Sequence, residues 1–265
     1  MLKMHQNQNV CQQYSDDKKL SARIKLHEKH STNKQGFVPW IFEQYRFSAN
    51  ASILELGCGN GKQWEGRIES LPPGCTLVLS DFSEGMVIAV KEKFSQIAHD
   101  VNFQQVDIRS IPFPDESFNI VIANFMLYHV PDLNKALLEV RRVLKTGGYF
   151  YAATNGTGGL SQFIHNTIKI FDPETNAFTE KLSFNLQNGE ELLSPYFSSV
   201  ERCDYEDSLA ITHTQDLMDW LNSTISITGV PEEKSEDLYK YFEEIRVRDG
   251  AINIPKEAGV FVCLK

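Results

Sequence analysis

The sequence predicts an α/β protein built on a doubly wound, parallel sheet. Three observations predict it. Apolar strand-like runs alternate with amphipathic helical patterns from Ser52 to Thr154, as in a sheet covered by helices on both faces. The first run, Ile53-Leu54-Glu55-Leu56, breaks into a glycine-rich turn, Gly57-Cys58-Gly59-Asn60-Gly61, and then into a helical pattern. The second, Thr76-Leu77-Val78-Leu79-Ser80-Asp81, ends on a carboxylate.

Each element follows from local pattern. Residues 1–13 are rich in Gln and Asn, and Asp17–His30 reads as a basic helix with Leu20, Ile24 and His27 on one side. Phe37–Phe47 is aromatic-rich at helical spacing. Strands are expected at Ser52–Leu56, Thr76–Asp81, Val101–Asp107, Phe118–Asn124 and Tyr149–Thr154. Helices are expected at Lys62–Leu71, Glu84–Ala98 and Leu133–Leu144, the last stopped by Gly147-Gly148. Beyond Thr154 the alternation ends. A glycine-rich link, 155–159, leads to a helix over Leu160–Phe171, an irregular stretch to Phe184 and a short helix at Asn188–Pro195. Ser199–Tyr205 and Val260–Leu264 read as strands, with helical patterns at Thr214–Ile225 and Glu233–Arg246 between them.

The turn after the first strand carries the functional signal. Glycines there let backbone approach a ligand closely. A carboxylate roughly 20 residues later, on the neighbouring strand, can hold a ribose diol. Together they mark a nucleoside cofactor site at the C-terminal edge of the sheet. A dinucleotide site uses G-x-G-x-x-G, and the third glycine of that pattern would fall at position 62, which is Lys62. The pattern present is E-x-G-x-G-x-G, from Glu55 to Gly61.

In this form the turn resembles the first motif of the class I S-adenosylmethionine-dependent methyltransferases. The resemblance continues through Val106-Asp107-Ile108, Ile111-Pro112-Phe113-Pro114-Asp115, Leu127-Tyr128-His129-Val130-Pro131-Asp132 and Leu138 to Gly148. It covers about Ser52 to Thr154 and looks like the branch related to the ubiquinone/menaquinone C-methyltransferases. Asn119 stands where that branch usually has Asp, and Thr146 where it usually has Pro.

The resemblance implies a mostly parallel seven-stranded sheet whose last hairpin places one strand antiparallel, with a helical cap. It implies four parts: an N-terminal helical lid (1–50), a cofactor-binding core (51–154), a cap insertion (155–198) and C-terminal strands with a helical insertion (199–265). Asn155–Phe184 is the expected cap, with Thr212–Pro255 as a second candidate. The implied cofactor is S-adenosylmethionine, leaving as S-adenosylhomocysteine. Its expected contacts are Glu55, Gly57, Cys58, Gly59, Asn60, Gly61, Asp81 on the ribose, and Phe82 and Met86 beside the adenine. Asp107 and Ile108 would meet the adenine edge, Asn124 and Phe125 the methionine amino group, and Tyr14 the cofactor from the lid. Asp107 also reads as a turn residue before Arg109-Ser110, Asp81 as a helix cap, and Met86 as plain helix packing. His129 has the titration range of a general base, and equally a structural role. Trp40 and Trp64 read as packing.

Composition bounds the partners. At 265 residues, 42% hydrophobic and 23% charged, the chain is an ordinary globular protein. A net charge of -9 argues against nucleic acid or an anionic membrane as main partner. Arg141, Arg142 and Lys145 sit at a helix end, where they suit its dipole. The five cysteines, at 11, 58, 75, 203 and 263, show no metal-ligand spacing, so no metal is expected and a cytoplasmic setting is the simplest. No run reaches the roughly 20 apolar residues of a membrane span. The expected function is methyl transfer to a small-molecule acceptor. The alternatives are a non-catalytic S-adenosylmethionine-binding sensor or scaffold and, less favoured by the glycine spacing, a dinucleotide-dependent oxidoreductase. The sequence sets no oligomeric state.

Overall fold

A computed structural model describes residues 25–97, 99–179, 182–228 and 234–265. Seven strands form one sheet: β1 (Ser52–Leu56), β2 (Thr76–Asp81), β3 (Val101–Gln105), β4 (Phe118–Asn124), β5 (Leu144–Asn155), β6 (Ser199–Ile211) and β7 (Ile252–Leu264). Their spatial order is β3-β2-β1-β4-β5-β7-β6. The pairings among β1 to β5 are parallel, whereas β7 runs antiparallel to β5. The helices are α1 (Phe37–Gln44), α2 (Glu84–Lys93), α3 (Leu133–Val143), α4 (Gly159–Phe171), α5 (Gly189–Leu193), α6 (Thr214–Thr228) and α7 (Ser235–Asp249). Residues 25–30 are also helical. Among the described residues no helix is long and apolar enough to cross a membrane.

The chain divides into two compact units, and the division falls within β6 and β7. One unit comprises Phe37–Gly156, Leu182–Tyr205 and Ala258–Lys265. Its sheet carries a core on each face. Leu54, Leu56, Val121 and Ala123 point to one side, and Ile53, Leu77, Ile120 and Ile122 to the other. Side chains alternate along a strand, so Glu55 and Asn124 share the face of Ile53 and Ile122. Of the described residues, the other unit gathers 25–36, 157–179, 206–228 and 234–257. Its core includes Ile164, Leu209, Leu221, Phe242 and Ile252. Phe163, Phe171 and Phe178 pack there against Phe242, Tyr241 and Trp220, with ring centroids 6.2, 5.7 and 5.8 Å apart.

Several elements differ from the sequence reading. Lys62–Leu71 is two 3-10 turns, Lys62–Trp64 and Ile68–Ser70, because Gly66 between them takes φ +66°. Gly147-Gly148 does not stop α3, which ends at Val143 with Leu144 already extended. Instead the pair lies inside β5, where the register against β4 shifts between Phe118 and Ile120 and Gly147 takes φ +75°. β3 ends at Gln105, so Asp107 falls in the following turn. β6 and β7 continue through polar stretches, where the buried Asp207 carboxylate pairs with Lys256 and accepts the Asn33 N–H at 2.9 Å. Tyr14, expected over the cofactor, lies outside the described residues.

Candidate cofactor site

β1 has β2 on one side and β4 on the other, both parallel to it. The chain therefore winds outward in both directions from β1/β4, and the crevice beyond their C-terminal ends is where such sheets bind ligands. The glycine turn opens there. Gly57, Gly59 and Gly61 have φ of +73°, +56° and +70°, a region glycine adopts without a Cβ penalty. They are glycines for different reasons. A Cβ on Gly57 would lie 2.9 Å from Met126 Cγ, and one on Gly61 2.6 Å from both Val90 and Phe94. A Cβ on Gly59 would meet nothing within 4 Å. Gly57 and Gly61 thus serve packing, while Gly59 borders open space. Cys58 between them is buried and donates its N–H to Ser80 O at 2.9 Å, tying the turn to β2. Asn60 is exposed, and its Oδ1 accepts the Lys62 N–H at 3.1 Å.

Asp81 ends β2 beside this turn. One carboxylate oxygen accepts the Gly59 N–H at 2.9 Å and the other accepts the Ser83 N–H at 2.8 Å. A carboxylate offers about four acceptor positions, so these two bonds orient it and leave capacity for hydroxyl donors. Both readings of Asp81 therefore meet in one side chain: it secures the entry to α2, and it faces the turn. Phe82 follows and is 50% exposed, with Met86 half-buried on α2. The Val106 N–H donates to Asp81 O at 3.0 Å, which brings the end of β3 alongside. There Arg109 grips the Asp107 carboxylate, with Nη2 at 2.6 Å from Oδ2, and these hydrogen bonds hold its pKa below the usual carboxylate range. Ser110 N–H donates to Asp107 O at 2.8 Å, closing the turn, and Ile108 is buried in the core. Asp107 is a turn residue with its charge paired.

Glu55 is 1% exposed, and its two oxygens accept from the Gln63 amide and the Trp64 indole N–H. Burial pushes its pKa up to about 8, against the lowering effect of those donors. Gln63 Oε1 in turn accepts from Asn124 Nδ2 at 2.9 Å, and the same Nδ2 lies 2.7 Å from Tyr45 Oη. Asn124 Oδ1 is buried and accepts no hydrogen bond among the described residues. Phe125, the next residue, takes φ +52°, and its N–H donates to Ala153 O at 2.8 Å. Such backbone costs a non-glycine residue about 1–3 kcal/mol and persists where the surroundings demand it. His129 is exposed on the 3-10 turn Leu127–His129. Its partial desolvation lowers its pKa, and among the described residues no carboxylate pairs with it. Among the described residues nothing of the Ser-His-Asp kind is assembled around it.

Sequence reasoning missed Tyr45 and Gln63 and read Trp64 as packing alone. Trp64 is fully buried, and a buried indole N–H needs an acceptor. With Glu55 nine residues earlier in an apolar strand, that need was the available signal.

Comparisons with known proteins bear on the domain and the fold. Residues 54–152 match the methyltransferase domain family. The ubiquinone/menaquinone biosynthesis C-methyltransferase of Geobacter sulfurreducens is 34% identical over 105 residues, 39% of this chain and 41% of the relative. The chain spans between a fifth and about two fifths of the length of the first curated relatives it matches. Among solved structures, the YcgJ protein of Bacillus subtilis superimposes with a TM-score of 0.58 at 19% identity, covering 86% of this chain and 97% of that one. Phosphoethanolamine N-methyltransferase 2 of Haemonchus contortus, in complex with phosphomonomethylethanolamine and S-adenosylhomocysteine, gives 0.58 at 18% identity, covering 96% of this chain and 58% of that one. Residues 54–152 are thus similar to the methyltransferase domain family, and the sheet that carries them has the fold of methyltransferase-like neighbours.

Proposed function

We propose that this protein is an S-adenosylmethionine-dependent methyltransferase acting on a small-molecule acceptor. The observation that carries the reading is the turn at the β1/β4 crevice. Three left-handed glycines at alternate positions leave open space at the middle one, and the Asp81 carboxylate is held against that glycine's own N–H. The donor set fits the cofactor: a nucleoside with a cationic sulfonium and an ammonium suits a crevice lined by carboxylate and amide acceptors. When bound, S-adenosylmethionine supplies a methyl group activated by the sulfonium for displacement by an N, O or C atom of the acceptor.

The roles of the chain's own residues follow from their positions. Asp81 accepts from the ribose hydroxyls. The turn from Gly57 to Gly61 lets backbone lie against the ligand. Phe82 and Met86 cover the adenine, and the 106–108 segment meets its edge. Asn124 and Phe125 border the methionine tail. The enzyme's work is alignment and exclusion of water. His129, unpaired with any described carboxylate and exposed, borders the acceptor without being required as a base. The buried free thiols Cys58, Cys75 and Cys263 suit a reducing, cytoplasmic setting.

The test is transfer of a labelled methyl group from S-adenosylmethionine to metabolites of a cell extract, read by mass spectrometry. A new methylated product that requires the protein supports the reading. Cofactor binding without any product would instead favour a sensor or scaffold. Failure to bind the cofactor would overturn the assignment.

A further inference from the structure

We propose that Gln63, Trp64 and Tyr45 are positioning residues that fix the side-chain oxygen of Asn124 as an acceptor for the ammonium of the cofactor's amino-acid tail. This rests on the cofactor assignment above. The argument is one of donor and acceptor polarity. An indole N–H only donates, so Trp64 makes Glu55 an acceptor at one oxygen. In its ionised form, which prevails above pH 8 and which a cation at the far end of the chain favours, Glu55 has no donor to offer at the other oxygen, so the Gln63 amide must turn its nitrogen toward it. The Gln63 oxygen then necessarily faces Asn124. That oxygen lies 2.9 Å from Asn124 Nδ2, and the opposite amide orientation would set two oxygens against each other. Tyr45 Oη, 2.7 Å from the same nitrogen, gives it a second partner. Both hydrogens of the Asn124 amide are thereby used, and its oxygen is left as the free end of the chain.

That oxygen is buried and accepts from no described group. A buried polar atom in this condition calls for a partner. Its place selects the partner. Strand register aligns Glu55 with Ile122, so Asn124 stands two residues further on, level with Gly57 at the mouth of the crevice. Asp81 lies on β2, on the other side of β1, with the ribose position. The donor of the cofactor nearest the β4 side is therefore the tail ammonium. Glu55 acts on the tail without touching it: its acceptor character passes through two amides and emerges at Asn124.

The test compares two ligands. S-adenosylhomocysteine has the amino-acid tail, and 5′-methylthioadenosine has the same nucleoside and thioether without it. Affinities are measured by calorimetry at pH 9, where Glu55 is ionised, for the wild type, Gln63→Leu and Glu55→Gln. Gln63→Leu cuts the chain. Glu55→Gln nearly conserves volume, but its amide nitrogen faces one of two donors and reverses the polarity downstream. We expect S-adenosylhomocysteine to weaken at least tenfold in both variants, with 5′-methylthioadenosine held within twofold. Retained 5′-methylthioadenosine binding also shows that the crevice is folded. Equal losses for both ligands, or no loss for S-adenosylhomocysteine, would overturn the relay while leaving the cofactor assignment intact. A wild type that binds neither ligand would overturn both.

Discussion

Replacing Glu55 with glutamine exchanges a buried carboxyl for an amide of nearly the same volume, and the change in stability should depend steeply on pH. In the fold the Glu55 pKa is raised from its ordinary 4.5 to about 8, chiefly because burial penalises the charged form. Below pH 4.5 the group is protonated in folded and unfolded chains alike, so it costs nothing. Between 4.5 and 8 the folded chain holds a proton that the unfolded chain releases, and stability falls with rising pH by about 1.36 kcal/mol per pH unit. Over the whole window that amounts to about 5 kcal/mol, and above pH 8 the loss is complete. Glutamine does not titrate, so Glu55→Gln removes this slope. It brings a constant cost instead, because its NH2 faces either Trp64 Nε1 or Gln63 Nε2, both donors. One frustrated buried hydrogen bond costs about 1–3 kcal/mol.

The two stability profiles should therefore cross. At pH 5 the wild type is the more stable, by about 1–3 kcal/mol. As pH approaches 8 the advantage shrinks and reverses. Urea denaturation of both proteins at single-unit intervals from pH 5 to 9, monitored by tryptophan fluorescence, measures the difference directly. Other titrating groups are common to both proteins and cancel in the subtraction. A difference that stays flat from pH 5 to 8 would mean that the Glu55 carboxyl titrates in its ordinary range, and the account of a desolvated acid under the glycine turn would be wrong.

Alanine at two glycines of the turn should separate packing from ligand room. Gly61→Ala drives a Cβ to 2.6 Å from Val90 and Phe94 and should cost about 1–3 kcal/mol of stability. Gly59→Ala meets no neighbour and should cost only about 1 kcal/mol of backbone strain, while weakening S-adenosylhomocysteine at least tenfold by calorimetry. Equal effects at both sites would refute the distinction. Asp81→Ala should weaken the cofactor by about tenfold or more, since charge-assisted hydrogen bonds are worth about 1.5–3 kcal/mol each; unchanged affinity in a folded variant would remove Asp81 from the site. His129→Gln should keep methyl transfer within about tenfold of the wild type, because general base catalysis contributes about 10²–10⁴. A hundredfold loss with both ligands still bound would make it the base.

The central strands were legible because a parallel sheet buried on both faces leaves continuous apolar runs. β1, β2 and β4 have the bounds the runs suggest. The misread segment, Lys62–Leu71, is instructive. Trp64, Ile68 and Leu71 are all buried and stand at helical spacing, but Gly66 interrupts them in a left-handed conformation that no periodicity announces. The far ends of β6 and β7 were hidden for a different reason. Asp207 and Lys256 lie beyond the strands that the apolar runs suggest, and they pair with each other, with Ser31 and Asn33 on the same carboxylate. Such partners are far apart in sequence and leave no local trace.

The site divides along the same line. The glycines and Asp81 were readable because their spacing is itself the chemistry. Glu55 and Asn124 were readable as positions, and β1 beside β4 puts both on one sheet face. The amide that joins them was not. Gln63 comes from a turn rather than a periodic element, so no pattern assigns its side chain a direction; its orientation is fixed by a carboxylate eight residues earlier and an amide 61 residues later. A residue specified only by the partners on either side of it leaves little signature in its own sequence. It is also a residue whose replacement interrupts the relay while leaving Glu55 and Asn124 themselves in place. Substitution at 63 therefore tests the joining amide separately from the two positions that the sequence already marked.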